Sequence, residues 1–262
     1  MKSFLSSINI ALMQSGIDPK KFLKSLKGIP TFFSDKKEFK KLNTASAEFK
    51  ITKMFPCLPD RYEDSGILSQ HYFYQDLLVA SYIFKANPQK HVDIGSRVDG
   101  FVAHVASFRE IEILDIRPLT GKIPNVTFNQ IDITKGDEKY NNYCDSLSCL
   151  HSVEHFGLGR YGDNVDPLGY KKGLDNLYKI LKPGGKFYFS VPIGPQRIEF
   201  NAHRVFSLTH LFSLFKDKFT LDVFSYIDDE GNLYDDYKLS EKDIETNLNC
   251  NYGCAIFMLT KV

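Results

Sequence analysis

The stretch His91-Val-Asp-Ile-Gly-Ser-Arg-Val-Asp-Gly100, followed by Leu114-Asp-Ile-Arg-Pro118, decides how the chain is read. Residues 91–94 form a short apolar-rich run that stops at Gly95, as a buried parallel strand does when its end faces a crevice. Asp115 lies about 20 residues beyond Gly95, at the end of a second apolar run, and this is the usual separation for an acid that bonds ribose hydroxyls. Gly95 and Gly100 fit the outer positions of a G-x-G-x-x-G turn, but Arg97 stands where bare backbone would meet a dinucleotide pyrophosphate. The turn therefore argues against NAD or FAD while keeping the strand, turn and acid that hold an adenosine. A helix is expected over 98–107.

Working outward, 126–134 reads as a third strand closed by Asp132, and 144–150 (CDSLSCL) as a fourth running into His151-Ser-Val-Glu-His155. A helix from about 173 then meets Lys182-Pro-Gly-Gly185 and the apolar run KFYFSVP. Proline stops the helix there, and the glycines allow a tight entry to the next strand. Two further β-rich runs, 219–227 and 252–261, predict a closing antiparallel pair rather than a sixth parallel strand. In this order the features resemble class I S-adenosylmethionine-dependent methyltransferases over roughly residues 70–262. The strings HSVEHFGLGRYGD (151–163) and FNAHRVF (200–206) resemble a narrower branch of that superfamily. The resemblance implies an α/β fold with a Rossmann-like, mostly parallel sheet, an antiparallel C-terminal strand and a helical N-terminal extension. It divides the chain into a cap, 1–69, and a methyltransferase domain, 70–262.

The same resemblance implies S-adenosylmethionine as cofactor. Asp93, Gly95 and Ser96 would organise the turn around its amino-acid end, Asp115 would hold the ribose, and Asp132 the adenine amino group. Methyl transfer needs the acceptor aligned and its proton removed, and a neutral alcohol needs a base more than an amine does. His151, His155 and His203 follow strands four and five, whose ends share a crevice, so they are the catalytic candidates. Glu154, Arg160, Asn201 and Arg204 are polar neighbours suited to an anionic or polyhydroxylated acceptor. The expected activity is O-methylation of a sugar or other polar metabolite of surface-glycan biosynthesis, acting on a small-molecule or glycan-precursor acceptor. A catalytically inactive methyltransferase-like binding or scaffold domain is the competing reading, because Arg97 and Asp99 occupy the glycine turn.

His151, Glu154 and His155 also spell H-x-x-E-H, an inverted zinc-protease motif. The string sits in the methyltransferase slot, where some relatives carry Glu-x-x-Glu-His and hold a divalent ion, so metal assistance is a secondary reading and proteolysis a remote one.

At 262 residues and 43% hydrophobic, the chain can bury one sizeable core. A net charge of +1 offers no global attraction for nucleic acid. No apolar run approaches a membrane span, and the start reads as an amphipathic helix rather than a signal peptide. Five cysteines without a framework suggest reduced thiols and a cytoplasmic protein. Cys250 and Cys254 look too isolated for a zinc site. Residues 1–53 carry eleven lysines against four acids, a basic surface that would be either solvated or turned toward an anionic substrate or membrane. Phe4, Leu5, Ile8 and Leu12, then Phe22, Leu23 and Leu26, recur at helical spacing and predict core-facing helices. A helix over 68–84 would lead into the first strand, with His71, Tyr72 and Tyr74 near the acceptor.

Overall fold

A computed structural model describes residues 12–43, 51–63 and 70–262. The expected helix at the start falls mainly on residues 1–11 and lies outside the described residues, as do Phe4, Leu5 and Ile8. The chain forms two compact units, Met1–Ile67 and Leu68–Val262.

In the first unit, α1 (Pro19–Leu42) begins under an Asp18 cap whose carboxylate accepts the Lys20 and Lys21 amides, with Pro19 in the first turn. Gly28 is its one buried residue, and an added Cβ there would sit 2.1 Å from the Leu58 carbonyl oxygen. Phe22, Leu23 and Leu26 do not face a core: all three are exposed. Helical spacing marks a shared face, but a face is buried only where a second layer meets it.

The second unit is built on an eight-stranded sheet. Its strands are β1 (His91–Ile94), β2 (Ile111–Asp115), β3 (Val126–Gln130), β4 (Cys144–Leu150), β5 (Leu181–Ile193), β8 (Phe219–Ile227), β9 (Leu233–Tyr234) and β10 (Gly253–Lys261). The order across the sheet is β3-β2-β1-β4-β5-β10-β8-β9. Strands β3 to β5 in that order pair in parallel, whereas β10 runs antiparallel to both β5 and β8. A two-stranded ribbon, β6 (Arg197–Glu199) with β7 (His203–Val205), projects from the end of β5.

Apolar side chains leave both faces. On one, Val92, Phe187, Phe189, Val191 and Phe257 pack with Leu177 of α4 (Gly169–Ile180) and Leu211 of α5 (Leu208–Phe215). On the other, Ile113, Tyr188 and Ile256 pack with Val79 and Ile83 of α2 (Gln70–Ala86) and with Phe101, Val102 and Val105. The result is a three-layer α/β/α sandwich of the kind expected, and burial on both faces accounts for strands without polar alternation.

Three element boundaries differ from the sequence reading. The helix expected over 98–107 is a π-type turn at Val98–Val102 followed by α3, Ala103–Ala106, because Gly100 adopts a non-helical φ of −128° and ψ of −116°. An added Cβ on Gly100 would lie 2.8 Å from an Asp76 carboxylate oxygen, so the close approach of α2 calls for glycine. The third strand ends at Gln130, and Asp132 belongs to the turn beyond it, where it accepts bonds from the amide and hydroxyl of Thr134. The Leu-Lys-Pro-Gly-Gly segment starts β5 itself. Lys261 Nζ closes the preceding helix end by donating to the carbonyls of Tyr178 and Leu181, both at 2.6 Å.

Candidate functional site

At the carboxyl ends of the parallel strands lies a cavity of about 520 Å³, within the usual range for a small-molecule site. Its floor is the first strand end. Asp93 is fully buried and accepts three bonds: from Ser148 Oγ at 2.5 Å, Ser96 Oγ at 2.9 Å and the Ser96 amide at 3.0 Å. Burial pushes its carboxyl up to about 6, with those donors restraining the shift. Gly95 turns the chain with φ +75°, and a Cβ there would come 2.3 Å from Ser152 Oγ. Asp93, Gly95, Ser96, Asp115 and Asp132 therefore belong to one wall system, four of them lining the cavity directly and Asp93 supporting the turn from below.

Asp115 lines the cavity, but its two oxygens are engaged by Arg117: the amide at 2.8 Å, Nε at 3.0 Å and Nη2 at 2.5 Å. Arg117 also donates to the Gly95 carbonyl at 2.8 Å and lies over the Tyr161 ring. Across the mouth, Arg97 and Asp99 form an exposed pair at 2.6 Å. The arginine in the glycine turn thus lines the cavity together with Asp99 while its guanidinium is paired to that neighbour.

The loop after β4 carries the second wall. His151 is held at φ +46°, a left-handed conformation uncommon for a side-chain-bearing residue. Its Nδ1 lies 2.8 Å from Glu154 Oε1. Burial opposes charge on this ring, yet the Cys254 sulfur and the Glu154 carboxylate hold it above its ordinary value. Glu154, equally buried, is held low by His151 against its own desolvation. His155 also lines the cavity. Its Nδ1 lies 2.7 Å from the Ala202 carbonyl, which can only accept, so Nδ1 carries the proton and Nε2 the lone pair. Burial lowers its pKa, so the ring is neutral near pH 7.

The remaining sequence candidates divide by position. Arg160 lines the cavity while donating to the Ala202 carbonyl at 2.8 Å. Glu154 lies beneath the wall. His203 is not among the lining residues: it stands on β7 against the Tyr252 ring, with Nε2 3.4 Å from Glu199 Oε2. Asn201 is exposed in the β6–β7 turn at φ +66°. Arg204 is buried and spends its guanidinium on the carbonyls of Glu154, Phe156 and Pro167, bracing the loop instead of facing a ligand. The ribbon's alternation carries these side chains apart, although strand order brings their backbones near β4.

Sequence reasoning did not find Gln75 and Asp76 of α2, nor Arg117 and Tyr161, all of which line the cavity. Asp76 is buried and its carboxyl is raised by desolvation, with the Gln75 amide 2.9 Å away. An amide and an acid, Gln75 and Asp76, directly ahead of the apolar run LLVASYIF (77–84) were the available signal.

Backbone likenesses to solved structures accompany this geometry. The N-methyltransferase NodS of Bradyrhizobium japonicum, in complex with S-adenosylhomocysteine, is 12% identical; the match covers 74% of this chain and 89% of that one, with a TM-score of 0.49. The 1,6-didemethyltoxoflavin-N1-methyltransferase of Burkholderia thailandensis is 16% identical over 76% of this chain and 93% of that one, at 0.46. The phosphoethanolamine N-methyltransferase 2 of Haemonchus contortus is 14% identical over 75% and 55%, at 0.49. No curated protein matches the chain. Residues 107–255, from the turn after α3 into β10 and thus more than half of the chain, match the model of a family described as "Caenorhabditis protein of unknown function, DUF268", and the chain belongs to that family.

Proposed function

We propose that the chain is an S-adenosylmethionine-dependent methyltransferase that methylates a hydroxyl of a sugar or similarly polar metabolite, of the kind used in surface-glycan assembly. The observation that carries this reading is the cavity at the ends of β1, β2 and β4, with Gly95, Asp115 and Asp132 around it and the Asp93 network beneath. The residues suit the cofactor. Gly95 lets the backbone turn at φ +75° tight against Ser152, and the raised carboxyl of Asp93 would regain its charge beside an ammonium group. Asp115 would take the ribose once Arg117 yields an oxygen, and Asp132 would take the adenine amino group. When bound, the cofactor supplies a methyl group on a positively charged sulfur, already activated for displacement.

The chain's own part is to position the acceptor and remove its proton. His155 is the base this geometry favours, because its ring is neutral and its Nδ1–H is fixed on Ala202, leaving Nε2 to accept. His151, paired with Glu154, acts through charge and shape. Arg160 and Tyr161 supply polar edges on the acceptor side.

A binding domain without transfer is the second reading, supported by Arg117 saturating Asp115. Calorimetric titration of the full chain with S-adenosylhomocysteine separates them. Binding that is lost in Gly95→Val while the circular dichroism of the fold is retained supports the enzyme. Folded wild-type protein that binds nothing at millimolar ligand removes it.

A further inference from the structure

Sequence spacing leaves Cys254 apparently isolated, but folding brings it to two histidines. His71 from α2, His151 from the loop after β4 and Cys254 at the start of β10 present one ring nitrogen each and a sulfur, all within 4.8 Å of one another and all buried. We propose that His71, His151 and Cys254 form a binding site for one divalent zinc-class metal ion.

Three observations point the same way. His151 Nε2 is a buried nitrogen left without a hydrogen-bond partner, while Nδ1 is tied to the Glu154 carboxylate at 2.8 Å. A carboxylate on the far nitrogen is how metal-binding histidines are oriented and made more basic. His71 is held by stacking on Tyr252 and on His151, each ring pair 5.3 Å apart. His151 is kept at its strained left-handed φ, a conformation that persists where the surroundings require it. Left as packing, the cluster keeps the His151 Nε2 atom buried without compensation.

The donor set selects the ion. Two imidazoles and a thiolate suit zinc, whereas magnesium and calcium take oxygen donors. Metal–nitrogen distances of about 2.0–2.1 Å and a metal–sulfur distance of about 2.3 Å put tetrahedral donors roughly 3.3–3.6 Å apart. The three groups must therefore close by up to about 1.5 Å, a matter of small side-chain rotations. Binding replaces the thiol proton of Cys254 and any proton on His151 Nε2, both released to solvent, and leaves the proton between Nδ1 and Glu154 in place. Three protein ligands leave a fourth position for water or an acceptor oxygen, as in catalytic rather than structural zinc sites.

The test needs neither cofactor nor acceptor, so its outcome is independent of the methyl-transfer reading. Full-length protein stripped with a chelator is titrated with Co²⁺ and then with Zn²⁺. The expected result is one equivalent of cobalt, a near-ultraviolet thiolate-to-cobalt charge-transfer band with tetrahedral visible bands, and displacement by zinc. Cys254→Ser should lose the charge-transfer band, Glu154→Gln should weaken binding roughly 10–100-fold, and Cys250→Ser should change neither. Absence of the thiolate band in the folded wild type, or an unchanged spectrum in Cys254→Ser, overturns the proposal. Should the variants fail to fold, alkylation of the wild type mapped by mass spectrometry decides: zinc protecting Cys254 supports the site, and equal labelling with and without zinc overturns it.

Discussion

At the scale of single residues, Asp93 makes the sharpest electrostatic prediction. Its folded value, about 6, lies above the ordinary 3.8, so the folded state holds its proton more tightly than the unfolded chain. The sign follows: this group stabilises the protein less as pH rises from about 4 to 7, by about 3 kcal/mol at 1.36 kcal/mol per unit. Asp93→Asn keeps an acceptor for Ser148 and cannot ionise. Urea unfolding of both proteins in parallel should show the variant gaining on wild type by about that amount across the interval, with no gain below pH 4; a constant difference contradicts the assignment. His155→Ala should lower turnover by ~10²–10⁴-fold with cofactor affinity within a few-fold, the loss expected for a positioned base. Asp115→Ala should weaken S-adenosylhomocysteine binding by about 1–3 kcal/mol in calorimetry. If affinity instead rises, Arg117 released from Asp115 was the obstacle and the ribose is held elsewhere.

At the scale of elements, the loop between β4 and α4 is a braced structure. Arg204 reaches from β7 to three of its carbonyls, and the ring of Tyr170 lies under the guanidinium. Arg204→Ala removes those donors and leaves carbonyls of the loop, that of buried Glu154 among them, unpaired, so denaturant unfolding should show a loss of about 2–4 kcal/mol. Arg204→Lys should recover little of it, because an ammonium cannot span the fork of positions a guanidinium holds. The strain and the active groups share this loop: His151 at its left-handed φ, the His151–Glu154 pair and the His155–Ala202 bond all depend on it. A residue read from sequence as a substrate grip is thus explained as the strut that shapes the site.

At the scale of the whole molecule, ligand binding and stability are linked. On the proposed reading, S-adenosylhomocysteine at one hundred times its Kd should stabilise the unit Leu68–Val262 by about 2.7 kcal/mol. For a domain of this size that raises Tm by roughly 5–10 °C. A thermal scan with no shift at saturating ligand would contradict binding to the native state. The apolar strand runs, the acids at or just past their ends, Pro183 and Gly184 in the opening of β5, and the two closing β-runs were legible along the chain, because apolar runs and turn chemistry are local properties. From them followed the sheet, its order of elements and its antiparallel closure. The site was legible only in part: Asp93, Gly95, Asp115 and the His151–His155 loop sit at strand ends, which topology places. Whether His155 or His203 faces the cavity was decided by the pairing of β6 with β7, and Arg117 closing on Asp115 by a side-chain rotation. The meeting of His71, His151 and Cys254 joins residues separated by 80 and 103 positions, from a helix, a loop and an antiparallel strand. Local sequence determined the elements because their causes act within a few residues; tertiary structure alone decided that meeting, because side-chain distances depend on how layers pack.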